Sequence, residues 1–279
     1  MIIAGKGDDW TRAWAEGVGG TLVPVGKVRS YDPKITAVLR GHKKLAIKCK
    51  KDGRQYYFID TGYLGNHIGE EKYSRIVKNG FHHQNYTRVN GDRLRDLIKW
   101  SKQEQIRCGV NTYNIWSNKW RKNGDDILIA TPSKESFVFY DYKLDEWLET
   151  TIQTIKKHSD RKIIIRDKKD KGDRIGNDNI YNQFMSGNFF TLVTASSIAA
   201  TEAIGYGIPV FSTEPHVSSA LCSNDLSMIE TPYYPIRNKV KRFFEWMAYC
   251  QYTKDEIIDG TAYSMVEELY ARQQNVKSG

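Results

Sequence analysis

Between residues 125 and 211 the chain alternates short apolar runs with helix-like segments, and this alternation limits its fold more than any other feature. "DDILIATP" (125–132), "RKIIIRD" (161–167), "NFFTLVT" (188–194) and "IPVF" (208–211) read as strands. Between the first two, Leu144, Trp147, Leu148, Ile152 and Ile155 recur at the spacing of one helical face. Residues 197–206 predict a second helix, ended by Gly207 just before Pro209. Strands that alternate with helices build a parallel sheet of Rossmann type.

The first half repeats the alternation less cleanly. "MIIAGKG" is a strand running into a glycine turn, and residues 9–18 suit a helix. "ITAVLRG" (35–41), "KKLAIKCKKDG" (43–53) and "QYYFID" (55–60) follow as strand, helix and strand, with residues 92–104 as a further helix. The polar, glycine-containing "NKWRKNGDD" (118–126) separates the halves. The expected fold class is therefore α/β: two Rossmann-like domains, residues 1–122 and 123–279, facing a cleft. In open α/β sheets ligands sit beyond the carboxyl ends of the strands, where helix N-termini point. Functional residues are sought there.

Composition narrows the class. Of 279 residues, 40% are hydrophobic and 27% charged, a globular rather than a disordered balance. No apolar run approaches the ~18 residues of a membrane-spanning helix, and "MIIAGKGDDW" lacks the basic start and long apolar core of a secretion signal. Cys49, Cys108, Cys222 and Cys250 form no CxxC or Cys/His pattern, which suits reduced thiols in a cytoplasmic protein. The formal net charge of +9 favours a polyanionic partner.

The stretch "TLVTASSIAATEAIGYGIPVF" (191–211) carries the most chemistry. The strand ends at Thr194 and a helix starts near Ser196 or Ser197, so unpartnered N–H groups and a positive dipole end meet two hydroxyls. Such a corner can hold a phosphate. Glu202, five residues beyond Ser197, is placed to accept hydrogen bonds from a ribose diol. The plainer alternative is a serine N-cap with a solvated glutamate.

"SSIAATEAIGYGIPVF" resembles the nucleotide-binding segment of GT-B glycosyltransferases, with Ser196, Ser197, Glu202, Ala203, Gly207 and Pro209 matching. The resemblance implies a nucleotide-sugar donor, UDP-glucose by default, with its diphosphate at the serines and its ribose at Glu202. It also implies a C-terminal helix crossing back to the N-terminal domain, and residues 238–251 suit that role. "QYYFIDTGYLG" (55–65), "YSRIVKNGFHHQ" (73–84) and "EWMAYCQYTKDEIIDGTAYSMV" (245–266) are similar to segments of bacteriophage-encoded glycosyltransferases, some acting on modified bases in phage DNA. They imply double-stranded DNA carrying 5-hydroxymethylpyrimidine as acceptor, inside an infected bacterial host. Two alternatives stand beside this: transfer to a cell-surface polysaccharide or lipid, and a non-catalytic nucleic-acid-binding protein on the same scaffold. No exposed amphipathic basic helix points to membrane docking.

Glycosyl transfer to a hydroxyl needs a base and stabilisation of the departing diphosphate. Asp60, at the end of "YYFI", is the leading base, with Asp8 and Asp9 in reserve; a turn carboxylate is the alternative for Asp60. Ser133 and Lys134 follow the first strand of the second half, and Arg166 and Lys168 the second, where cations can neutralise the leaving group. Glu214 follows the last strand and can bind sugar hydroxyls or serve as a loop carboxylate. No Asp-x-Asp motif demands a metal, and none is expected to be obligatory. For a nucleic acid, Lys72, Arg75, Lys78 and Arg88 lie among Tyr73, Phe81 and Tyr86, while Lys119 and Arg121 lie beside Trp116 and Trp120. A charged surface over buried aromatics is the alternative reading of both runs.

Overall fold

The computed structural model describes residues 2–64, 71–83, 89–107, 119–133, 137, 143–167 and 179–277. In chain order these form β1 (Ile2–Lys6), α1 (Asp9–Val18), β2 (Thr21–Pro24), β3 (Thr36–Arg40), α2 (Lys43–Lys51), β4 (Tyr56–Thr61), β5 (Ser74–Lys78) and α3 (Gly91–Arg107). Then come β6 (Asp126–Ala130), α4 (Leu144–His158), β7 (Lys162–Arg166), α5 (Ile180–Ser186), β8 (Phe189–Thr194), α6 (Ala199–Gly205) and β9 (Val210–Ser212). The last elements are α7 (Arg237–Tyr249), β10 (Gln251–Tyr252), α8 (Lys254–Ile258) and α9 (Thr261–Lys277).

The fold is α/β, in two compact units with a sheet each. The first unit takes the described residues of Met1–Asn66, Glu70–Leu94 and Phe243–Gly279, and the second those of Arg95–Arg242. Relative to a division at 122/123, the described residues of 95–122 group with the second unit and those of 243–279 with the first.

In the first unit the strand order is β10-β5-β4-β3-β1-β2. Strands β2, β1, β3 and β4 run parallel, and β5 and β10 each pair antiparallel with their neighbour. The order reverses between β1 and β3, which makes the space beyond their carboxyl ends the topological switch point. Helix α1 starts there. The Asp8 carboxylate accepts the N–H groups of Trp10 and Thr11, both at 3.1 Å, and Gly19 ends the helix in the left-handed region at φ 66°. Its Trp10, Ala13 and Trp14 turn inward at helical spacing and pack with Tyr57, Ile59, Tyr252 and Val266.

In the second unit the order is β7-β6-β8-β9, all parallel. Ile127, Leu128 and Ile129 of β6 are fully buried, as a central parallel strand covered on both faces requires. Strand β7 lies at the edge and leaves Ile165 45% exposed, although its centre, Ile163–Ile165, is as apolar as that of β6. Here the order reverses between β6 and β8.

Candidate functional site

Three of the expected donor-side residues, Ser133, Ser196 and Ser197, follow the strands of the β6/β8 switch point. Ser133 follows β6 by way of Thr131 and Pro132, and Ser196 and Ser197 follow β8 by way of Ala195; all three serines are half-buried. The strand ends are laced together. Thr194 Oγ1 donates to the Ala130 carbonyl at 2.7 Å, and the Thr131 N–H donates to the Arg166 carbonyl at 3.0 Å. Ser197 Oγ accepts the Ala199 N–H at 3.3 Å, so this hydroxyl forms the turn into α6. Glu214, just past β9, is fixed beside the corner by its own N–H, which donates to the Ala195 carbonyl at 3.0 Å. Ser212 Oγ braces the same loop, donating at 2.9 Å to the carbonyls of Ala195 and Glu214.

Two expected donor ligands have protein partners. Glu202 is 2% exposed, neither solvated nor open at the surface, and its carboxylate accepts the Tyr181 hydroxyl at 2.5 Å. A ribose would have to displace that phenol. Arg166, the last residue of β7, donates from Nη1 to Gln183 Oε1 at 3.0 Å. Both partners come from α5, a helix that the sequence reading did not place. Lys134 and Lys168 lie outside the described residues.

The β1/β3 switch point of the first unit carries a network of charges. Arg40, the last residue of β3, bonds Asp8 Oδ2 through Nε at 3.0 Å and both oxygens of Glu71 through Nη2 at 2.7 and 2.9 Å. Ser74 Oγ donates to the same glutamate at 3.0 Å. One strand further out, Asp60 accepts the Thr61 N–H at 2.9 Å and pairs with Arg75 Nη2 at 2.5 Å. Burial works to raise the Asp60 pKa, but Arg75 first, then the Thr61 N–H and the charges of Arg40 and Lys43, hold it below its ordinary value. The sequence reading missed Arg40 and Glu71. Arg40 had a legible signal, because it ends an apolar strand just as Arg166 does; Glu71 had none.

The expected nucleic-acid contacts divide. Arg75, 5% exposed, also donates to the Thr61 carbonyl and lies over the Tyr63 ring, so its charge is spent inside the unit. Lys78 pairs with Glu267 at 2.6 Å and sits over the rings of Tyr57 and Tyr270. Trp120 is half-buried and donates from Nε1 to the Pro235 carbonyl at 3.0 Å. The Arg121 guanidinium donates to the Gly187 carbonyl at 3.1 Å. Lys72 and Lys119 are exposed, and Arg88 and Trp116 lie outside the described residues. His83 is buried with Nδ1 3.1 Å from the Tyr63 hydroxyl; burial, then Arg75, push its pKa down to about 3.

Among the described residues no cluster of three His, Cys, Asp or Glu side chains converges as a metal site. No helix among them is long and apolar enough to cross a membrane. No protein-family model matches the chain, and no curated protein matches it in sequence. Among solved structures it is similar to the KpsC beta Kdo 2,7 transferase of Thermosulfurimonas dismutans, with a TM-score of 0.54 and 12% identity, over 95% of this chain and 98% of that one. It is also similar to the KpsC beta Kdo 2,4 transferase of the same organism, with a TM-score of 0.52 and 12% identity, over 91% and 92% of the two chains. At that identity the likeness is one of fold, and the fold is that of GT-B glycosyltransferases.

Proposed function

We propose that the protein is a glycosyltransferase that draws on a nucleotide-activated sugar. The observation that carries this reading is the fold shared with two transferases over nearly the whole chain, both units included. In the second unit the diphosphate belongs at Ser133, Ser196 and Ser197, beyond the β6/β8 switch point, with Arg166 and the loop carrying Lys168 as counter-charges. Glu202 meets the ribose after releasing Tyr181, and Glu214 meets the sugar. In the first unit Asp60 takes the proton of the acceptor hydroxyl, and Asp8 is the reserve carboxylate. As the acceptor oxygen bonds to the anomeric carbon, the bond from that carbon to the phosphate oxygen breaks and the nucleotide leaves with the electron pair.

For the acceptor we favour the hydroxyl of 5-hydroxymethylpyrimidine in DNA, supported by the net charge of +9 and by the phage-protein resemblance of residues 55–65, 73–84 and 245–266. A saccharide hydroxyl is the second reading, favoured by the two Kdo transferases among the structural neighbours. The test is incubation with a panel of nucleotide sugars, CMP-linked acids included, and either hydroxymethylated DNA or an oligosaccharide. Nucleoside or glycan masses are then measured. A sugar increment on DNA, lost in Asp60→Asn, supports the first reading. An increment only on the glycan replaces it with the second, and no donor binding by calorimetry removes the transferase altogether.

A further inference from the structure

The second unit carries a basic and aromatic face assembled from two segments far apart in sequence, "KWRK" (119–122) and "TPYYPIRNKVKR" (231–242). Neither contains an aspartate or glutamate, and together they contribute Lys119, Arg121, Lys122, Arg237, Lys239, Lys241 and Arg242. They are joined by the bond from Trp120 Nε1 to the Pro235 carbonyl and by the edge-on contact of Trp120 with Tyr234, whose centroids are 6.0 Å apart. Cations and rings alternate across the seam. Lys122 Nζ lies 5.4 Å from the Tyr234 centroid, and Lys239 Nζ lies 5.3 Å from that of Tyr233. Lys239 is anchored to the Ala220 carbonyl at 2.8 Å. Arg242, three residues further along α7, lies on the same side of the helix as Lys239 and is exposed, as are Lys122 and Lys241. Tyr233 is 42% and Ile236 73% exposed.

We propose that this face holds the phosphate backbone of a nucleic-acid strand, with Tyr233 presenting its ring to an unpaired base. Closely spaced cations without interleaved carboxylates attract a polyanion by counterion release, and aromatic rings among them stack on bases of any sequence. The chemistry disfavours a lipid surface. Helix α7 turns its apolar Val240 inward, 1% exposed, and its outward positions are Asn238, Lys241 and Arg242, so it presents no apolar face for insertion. The inference goes beyond the transferase reading, because binding at this face needs neither a donor sugar nor Asp60.

The test is fluorescence anisotropy of the full chain with a labelled single strand of about 20 nucleotides, titrated over a range of salt. Lys122→Gln with Arg242→Gln is expected to weaken binding roughly tenfold near 0.1 M salt and to lower the slope of log K against log salt by about 1.4, two phosphates' worth. Tyr233→Ala is expected to weaken binding with the slope unchanged. All of these side chains are exposed or anchored at the surface, and thermal melting confirms that each variant is folded. Unchanged affinity and slope in the folded double variant overturn the proposal. So does equal displacement of the strand by dextran sulfate at matched charge with no effect of Tyr233→Ala, which marks a patch for any polyanion. Binding to phosphatidylcholine vesicles holding about 30% phosphatidylserine, with none to DNA, overturns it in favour of a membrane.

Discussion

Asp60 and Arg75 are register partners on the adjacent strands β4 and β5, and their side chains meet at 2.5 Å with only 7% of the arginine exposed. The pairing keeps Asp60 ionised at neutral pH, as a base must be, while making it less basic than a free carboxylate. Arg75→Met leaves the carboxylate half-buried without its cation. Removing one partner of a fully buried pair costs about 3–5 kcal/mol, and with 26% of the aspartate side chain exposed we expect roughly 2–3 kcal/mol, read from urea midpoints. If Asp60 is the base, the acid limb of the transfer rate also moves to higher pH in this variant; an unmoved limb removes Asp60 from that role. His83 titrates in a different window. Its folded pKa of about 3 lies below its ordinary 6.5, so the unfolded chain takes up the proton first. Stability is whole above pH 6.5 and falls as pH drops toward 3, by at most ~1.4 kcal/mol per pH unit from this group. The Asp60 contribution, by contrast, is lost only below its ordinary 3.8. His83→Asn is expected to flatten the unfolding free energy between pH 6.5 and 4.5, and an unchanged slope there would sink the assignment.

Elements written as contiguous apolar runs were legible: β1, β3, β4, β6, β7, β8 and β9 all lie where the sequence predicts strands. Strands β5 ("SRIVK") and β10 ("QY") were not, because their strand character comes from pairing. β5 pairs with β4, and β10 reaches β5 from the far end of the chain. Separation along the chain also hid the partners in the candidate sites. Tyr181, which donates to Glu202 from 21 residues earlier, and Arg75, which pairs with Asp60 from the adjacent strand, become partners only once the chain is folded. Close helix approach was equally invisible. A Cβ on Gly17 of α1 would lie 2.0 Å from the Ile257 carbonyl oxygen of α8, and backbone cannot move aside as a side chain can. Gly17→Ala should therefore cost roughly 2–3 kcal/mol by forcing α1 and α8 apart. Gly26→Ala, with nothing within 4 Å of the added carbon, should stay within about 0.5 kcal/mol. Equal melting temperatures for the two variants would contradict the packing of α1 on α8.

At the scale of the whole molecule the chain leaves its first unit after Leu94 and returns to it at Phe243, so that unit is completed by a segment that follows the whole of the second unit. The returning segment is part of its core. Tyr252, Ile257, Ala262 and Val266 pack in one cluster with Trp14, Tyr57 and Ile59, and β10 covers the edge of β5. Burying each of the three larger side chains is worth about 1.5–3 kcal/mol, so losing them removes several kcal/mol from a unit whose stability is of the order of 5–15 kcal/mol. The second unit has no such debt, since its core cluster runs from Ile127 to Ile229 within one continuous stretch. A fragment of residues 1–94 is accordingly expected to lack a cooperative thermal transition by circular dichroism, and to gain one when a peptide of residues 243–279 is added. A fragment of residues 95–242 is expected to unfold cooperatively alone. Cooperative unfolding of residues 1–94 without the peptide would show that the returning segment only decorates a unit already complete, and β10 and α9 would no longer count as parts of its core.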